Sequence, residues 1–148
     1  MRHTLFAVGT AMLLAGGCSV VQETMDSAKS MVAADDAGPS VRIISPADGA
    51  TVSSPVLIQF GLSGMGVAPA GTEMENTGHH HLIIDAPLPD MSLPVPATDN
   101  YRHFGAGQTE VSLELAPGTH TLQLLMGDYI HIPHEQPVYS DVVTITVK

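Results

Sequence analysis

From residue 41 onward, apolar and polar residues alternate with the two-residue period of half-buried β-strands. Val56, Ile58 and Phe60 fall on one face of such a strand, and Leu122 and Leu124 share a face of another. Clusters of Gly, Pro and Asp separate the runs, and no later segment has a convincing helical stripe. The pattern predicts strands near 41–45, 55–62, 79–85, 108–115, 119–126 and 138–147, with a weak edge strand within 91–96.

This arrangement predicts one all-β domain. About seven short strands separated by turns are typical of an immunoglobulin-like antiparallel β-sandwich. We therefore expect residues 41–148 to form the sandwich and residues 18–40, which are acidic and contain no core pattern, to form a flexible tether.

The N-terminal residues predict the compartment. Arg2 is followed by an apolar run at 5–14, which is too short to span a bilayer, and then by small residues that end at Cys18. Residues 1–17 are thus expected to be a signal peptide. Their end resembles the bacterial lipobox, apart from Ala15 where leucine is usual, and the resemblance implies that Cys18 is acylated. Ser19 resembles the sorting signal for the outer membrane of Gram-negative bacteria, which implies a lipid-anchored envelope protein that faces the periplasm.

Charge and cysteine content exclude several classes of function. The chain has 15 Asp and Glu against 5 Lys and Arg, a net charge of −10 with histidine neutral. Nucleic acid is therefore not an expected partner, and attachment to a membrane requires a lipid rather than basic residues. The single cysteine excludes an intrachain disulfide and a thiolate metal cluster. An acidic exterior does favour the approach of cations.

The sequence GHHHLIID at residues 78–85 suggests a metal site. Alternate residues of a strand share a face about 6.8 Å apart, so His79 and His81 could tilt onto one ion while His80 points away. The mature domain has seven histidines, all between residues 79 and 134. We predict copper or zinc binding with ligands His79, His81, His120 and His131. Further candidate ligands are His103, His134, His80 and Met74, whose thioether would favour copper.

Two other functions remain open. In one, the histidines form a hydrogen-bonded polar patch on a structural or protein-interaction module whose partner is unknown, and no metal binds. In the other, which has less support, the protein is a hydrolase in which Asp85 and Asp128 partner histidines. No nucleophile elbow, phosphate loop or dinucleotide fingerprint accompanies these aspartates, so we expect no enzymatic activity.

The second half of the chain resembles a known family. The residues that carry the resemblance are GHHHLIID (78–85), LPDMSLPVP (88–96), HFGAGQTE (103–110), LAPGTHTLQLLMGD (115–128) and HIPHEQPV (131–138). In this order they resemble the bacterial domain-of-unknown-function family numbered 4399, and the seven histidines fall at positions of that pattern. The resemblance implies an exported protein or lipoprotein, but no particular activity and no assignment of ligands.

Overall fold

The computed structural model describes residues 38–148, which form nine β-strands. The strands are β1 (Ser40–Ser45), β2 (Thr51–Val52), β3 (Val56–Ser63), β4 (Gly66–Val67), β5 (Thr77–Ile84), β6 (Tyr101–His103), β7 (Glu110–Leu113), β8 (Gly118–Gly127) and β9 (Val143–Val147). Among these residues no helix is long and apolar enough to cross a membrane. The predictions for the signal peptide, Cys18 and most of the tether fall outside the described residues.

Two sheets pack face to face. The smaller sheet has the order β1-β3-β7, and the larger has the order β2-β9-β8-β5-β4, with β6 also paired to β5. All the long pairings are antiparallel, and only the two-residue strands β2 and β4 pair in parallel. Three strands facing a β9-β8-β5-β6 sheet is the arrangement of an immunoglobulin-like sandwich, so the predicted fold class is confirmed.

The alternating apolar residues form the core between the sheets. Ile58 of β3, Leu122 and Leu124 of β8, and Ile145 of β9 are completely buried there. Burial of one such side chain stabilises the fold by about 1.5–3 kcal/mol. Because a chain with one cysteine can form no internal disulfide, burial of these apolar side chains is the main source of stability of the domain.

Two strand predictions were wrong in detail. Residues 91–96 form no strand, because Pro94 and Pro96 have no N–H to donate and the N–H of Val95 donates to the His131 carbonyl. In this part of the chain the short strand at the edge of the larger sheet is instead β6, at 101–103. The last predicted strand is a strand only over 143–147, although Ser140 still hydrogen-bonds to the Leu124 carbonyl of β8.

The larger sheet is also covered on its outer face. Ile83, Val95 and Leu125 form a second, smaller apolar cluster there, and Leu88 and Met91 pack against it. Strand β5 is consequently buried on both faces. This burial on both sides determines the environment of the three consecutive histidines.

Candidate metal centre

Strand β5 sends its histidines to opposite faces of the sheet. His80 lies on the core face with Leu82 and Ile84, whereas His79 and His81 share the outer face with Ile83. All three histidine side chains are at most 1% exposed. The predicted pairing of His79 with His81 on one face therefore agrees with the structure, and the distance between their ring centroids is 4.8 Å.

Two neighbouring segments bring further histidines to this face. The β5–β6 pairing places His103 directly opposite His81. The antiparallel β5–β8 pairing places Gly127 opposite His79, so the loop that follows β8 begins at the same point and supplies His131. His103 is exposed and His131 is half-buried, whereas the two histidines of β5 are buried.

The four rings form a compact group, which we call the histidine cluster: His79, His81, His103 and His131. Its six ring-centroid distances range from 4.5 to 5.9 Å. One ligand nitrogen from each of His79, His81 and His103 lies within 4.8 Å of the other two, and these three residues could hold a metal ion. The Nε2 atoms of His103 and His131 are 3.0 Å apart, so one of these rings donates a hydrogen bond to the other.

The buried nitrogens of the histidine cluster are available for a ligand. Neither ring nitrogen of His79 or of His81 has a hydrogen-bond partner among the described residues. Burial, together with the like charges that neighbouring histidines would carry, lowers the pKa of His79 to about 4 and that of His81 to about 3. Both rings are therefore neutral near pH 7 and have free lone pairs, the form that binds metals.

Asp128 shapes the loop that carries His131. Its Oδ1 accepts hydrogen bonds from the backbone N–H groups of Ile130, at 2.9 Å, and of Ile132, at 2.8 Å. Between them His131 has a φ of 72°, a left-handed conformation that costs a residue other than glycine about 1–3 kcal/mol. The carboxylate charge of Asp128 also acts to raise the pKa of His79, so it would favour a cation in the histidine cluster. No pattern in the sequence indicated this role for Asp128.

Glycine is needed where the rings approach the backbone. A Cβ atom on Gly127 would lie 2.6 Å from Cε1 of His81, which is closer than non-bonded carbon atoms approach one another in proteins. A Cβ atom on Gly105 would clash in the same way with the ring of His103. These two glycines leave space for two of the four imidazoles.

Solvent reaches the histidine cluster at His103, which is exposed. His103 lines an open groove of about 630 Å³ between the free edges of β6 and β7, to which Arg102 and Val111 also contribute. An ion would therefore meet the exposed imidazole of His103 before the buried rings of β5.

His120 does not join the histidine cluster, contrary to its predicted role as a ligand. Leu125 is the residue of β8 that pairs with His81, and His120 precedes Leu125 by five residues. The distance from Leu125 to His120 along the strand is therefore about 17 Å. Nδ1 of His120 is 2.6 Å from the Asp85 carboxylate and its Nε2 is 2.9 Å from the Ala116 carbonyl. Both partners are acceptors, so both nitrogens donate and no lone pair remains for a metal.

The remaining candidates also lie elsewhere. His80 packs in the core against Phe60, with ring centroids 5.1 Å apart, on the face opposite to the histidine cluster. Nε2 of His134 donates to the Thr77 carbonyl at 3.0 Å. Met74, which is 61% exposed, lines a separate pocket with His134, so its thioether is not placed beside the four imidazoles.

Comparison with known proteins identifies the family. The model of the family described as "Domain of unknown function (DUF4399)" matches residues 58–148, more than half of the chain. The chain belongs to this family. The match includes all four residues of the histidine cluster and confirms the resemblance found in the sequence. The DUF4399 description states no activity, and no curated protein matches the sequence.

Two solved structures have a similar chain course. One is the endo-β-1,4-mannanase from Thermotoga petrophila, with 16% identity and a TM-score of 0.46 over 78% of this chain. This chain spans only 21% of the length of that enzyme. The other is a structure of the fibronectin(III)-like modules of CbhA from Clostridium thermocellum, with 13% identity and a TM-score of 0.40, covering 73% of this chain and 94% of that one.

Proposed function

We propose that this domain binds one divalent metal ion, copper or zinc, through His79, His81 and His103 and has no catalytic role. The observation that carries the proposal is the burial of four unpartnered ring nitrogens on His79 and His81 beside a third imidazole. Leaving a buried polar atom without a partner costs about 1–3 kcal/mol, so such atoms need an explanation, and a bound ion is one. Both nitrogens of His80 are also unpartnered, but its ring packs against Phe60 on the opposite face of the sheet. A bound ion would use one nitrogen of each ligand ring.

The arrangement also weighs against a merely structural polar patch. A structural patch lowers its free energy by pairing donors with acceptors, as His120 does with Asp85 and Ala116. The rings of His79 and His81 instead face other imidazoles, at 4.8 to 5.9 Å between centroids. The two neutral, buried imidazoles of His79 and His81 lie beside that of His103, and this arrangement suits coordination of a shared cation better than hydrogen bonding between the rings.

The absence of catalysis is part of the proposal. Asp85 and His120 have the spacing of an acid–base pair, but Nε2 of His120 donates to a backbone carbonyl and has no lone pair with which to accept a substrate proton. Asp128 is engaged with the backbone of Ile130 and Ile132. Neither aspartate therefore supports the hydrolase hypothesis.

We also propose that the domain is anchored to the envelope through acylated Cys18, on the periplasmic side and in the outer membrane. The support is the apolar run at 5–14, the small residues before Cys18, and Ser19 after it. Membrane fractionation tests this proposal. The wild-type protein should sediment with outer membranes, and Cys18→Ala should be soluble or unprocessed. Equal solubility of the two would overturn it.

Metal binding is tested with the full-length chain purified without a histidine tag and treated with a chelator. Equilibrium dialysis against Zn²⁺ or Cu²⁺ should yield one tightly bound ion per chain. The double variant His79→Ala/His81→Ala should lose this ion, and His120→Ala should retain it. Equal binding by wild type and the double variant would favour the protein-interaction module instead.

A further inference from the structure

We propose that His131 is a fourth ligand and that the four rings of the histidine cluster surround the ion tetrahedrally. This geometry suits Zn²⁺, whereas Cu²⁺ prefers a square plane. This inference rests on the proposed metal binding and adds the identity of the ion and the absence of an open coordination position. It is carried by the relative positions of the four rings.

The ring centroids have the spacing of a tetrahedral site. Zinc lies about 2.0–2.1 Å from an imidazole nitrogen, hence about 3.2 Å from the ring centroid, so four tetrahedral rings have centroids about 5.2 Å apart. The observed distances are 4.8, 4.8, 4.9, 5.3, 5.9 and 4.5 Å. Rotation of a ring about its Cβ–Cγ bond, whose axis passes close to the ring centre, changes which nitrogen faces the ion but leaves these distances nearly unchanged.

A square plane does not fit the same distances. It requires two opposite pairs of rings with centroids about 6.4 Å apart and four adjacent pairs about 4.5 Å apart. The longest observed distance is 5.9 Å, between His81 and His131. If His81 and His131 were one opposite pair of a square plane, His79 and His103 would be the other, but the centroids of these two rings are only 4.8 Å apart.

The ligand nitrogens need a small movement to reach an ion. Those of His79, His81 and His103 lie within 4.8 Å of one another, whereas nitrogens on a tetrahedral zinc are about 3.3–3.4 Å apart. Nε2 of His131 already lies 3.0 Å from Nε2 of His103. Binding therefore requires the rings of β5 to move until their nitrogens converge on the ion.

The donor atoms weigh against Cu⁺, and the ring geometry separates Zn²⁺ from Cu²⁺. Four imidazoles with no thiolate or thioether form a borderline donor set that suits both divalent ions, whereas Cu⁺ prefers soft sulfur ligands. Met74 is exposed in a different pocket and adds no sulfur. A four-coordinate zinc with only protein ligands has no position for water or substrate, which is the closed arrangement of a non-catalytic site.

Co²⁺ is the probe for coordination number, because four-coordinate Co²⁺ absorbs visible light intensely and six-coordinate Co²⁺ absorbs weakly. The chelator-treated full-length chain should give intense bands with Co²⁺, displaced by one equivalent of Zn²⁺. Azide should leave the bands unchanged, since no coordination position is open. His131→Ala should bind Co²⁺ at least tenfold more weakly and become sensitive to azide, and the control His120→Ala should behave as wild type.

The outcomes separate the two proposals. Weak, six-coordinate bands, or azide-sensitive bands in wild type, would overturn the closed tetrahedron and leave metal binding intact. An unaltered spectrum in a folded His131→Ala variant would remove His131 from the ligand set. Failure of Co²⁺, Zn²⁺ and Cu²⁺ to bind wild type would overturn the proposed function itself. Because the wild-type spectrum and its azide response need no variant, an unstable substitution would not prevent the test.

Discussion

At one end of the β5–β8 pair, His79 and His81 are buried with unpartnered ring nitrogens, whereas at the other end both ring nitrogens of His120 are hydrogen-bonded. Burial lowers the pKa of His79 to about 4, while the hydrogen bond to Asp85 raises the pKa of His120. The same residue type is thus a neutral candidate ligand at one end and, at the other, a structural residue whose protonated form is favoured. The difference comes from the surroundings, since burial beside other imidazoles keeps His79 and His81 neutral, whereas the Asp85 carboxylate favours the protonated form of His120.

The largest expected effect is the pH dependence of the metal-free domain. His79 and His81 have folded-state pKa values below the unfolded value of 6.5, so the unfolded chain binds more protons and stability falls as the pH drops from 6.5 towards 4. Each contributes at most about 1.4 kcal/mol per pH unit. Denaturant melts at pH 7.5 and 4.5 should show a loss several kcal/mol smaller in His79→Ala/His81→Ala. Identical losses in the two proteins would contradict the neutral, buried state of these rings.

The next effect separates core residues from ligands. Leu124 is completely buried between the sheets, and Leu124→Ala should lower the free energy of unfolding by about 2–5 kcal/mol through the cavity it creates. His81→Ala should cost the metal-free domain clearly less at pH 7.5, because it also removes two unpartnered nitrogens. Chemical denaturation without metal measures both. Equal losses would mean that His81 is needed for packing.

Stabilisation of the domain by metal should depend on the histidines at one end of the β5–β8 pair and not on His120 at the other. Free Zn²⁺ at a hundredfold excess over its dissociation constant should add about 2.7 kcal/mol to the free energy of unfolding, seen as a higher Tm. His79→Ala/His81→Ala should lose most of this gain, and His120→Ala should keep it. Because the pKa values of His79 and His81 are about 4 and about 3, protons compete little for these two rings at pH 5.5, and part of the gain should persist there. A Tm independent of metal at pH 7.5 would contradict the assignment.

Asp128 should control metal affinity without contacting the ion. Asp128→Ala removes the acceptor for the N–H groups of Ile130 and Ile132, and such indirect substitutions typically weaken metal binding by 10–100-fold, about 1.4–2.7 kcal/mol. Asp128→Asn keeps an acceptor oxygen and should lose less. Competition titrations with a zinc chelator measure the affinity. Asp141→Ala, which removes an exposed carboxylate from another segment, should bind as wild type. Equal binding by Asp128→Ala and wild type would remove the proposed role.

The smallest expected effect lies at the His120 end and has the opposite sign. Because its pKa is raised, protonated His120 stabilises the fold below pH 6.5, and this contribution is lost as the pH rises through the folded-state pKa. The Asp85 side chain is 40% exposed, so solvent limits the contribution to about 1 kcal/mol or less. His120→Ala should therefore destabilise the domain more at pH 5.5 than at pH 8.5 in denaturant melts. The reverse order would contradict a protonated pair.

Much of the fold was predictable from the alternation of apolar residues. Leu122 and Leu124 alternate with polar residues, and they are buried at the centre of the core as predicted. The pairing of His79 with His81 followed from strand geometry alone. Leu113, which lies in the most regular alternating run of the sequence, is only partly buried in β7, because an edge strand has a neighbour on one side only.

By itself, the sequence determined the two-residue periodicity, and hence the all-β sandwich and the shared face of His79 and His81. Only the tertiary structure decided which other histidines meet them. The β5–β6 register brings His103 opposite His81, and the antiparallel β5–β8 register brings the His131 loop to His79 while it sends His120 to the far end. Periodicity is local, because each residue follows from its neighbours in the chain. Register depends on which strands pair and in which direction, and this is set by contacts between residues distant in sequence.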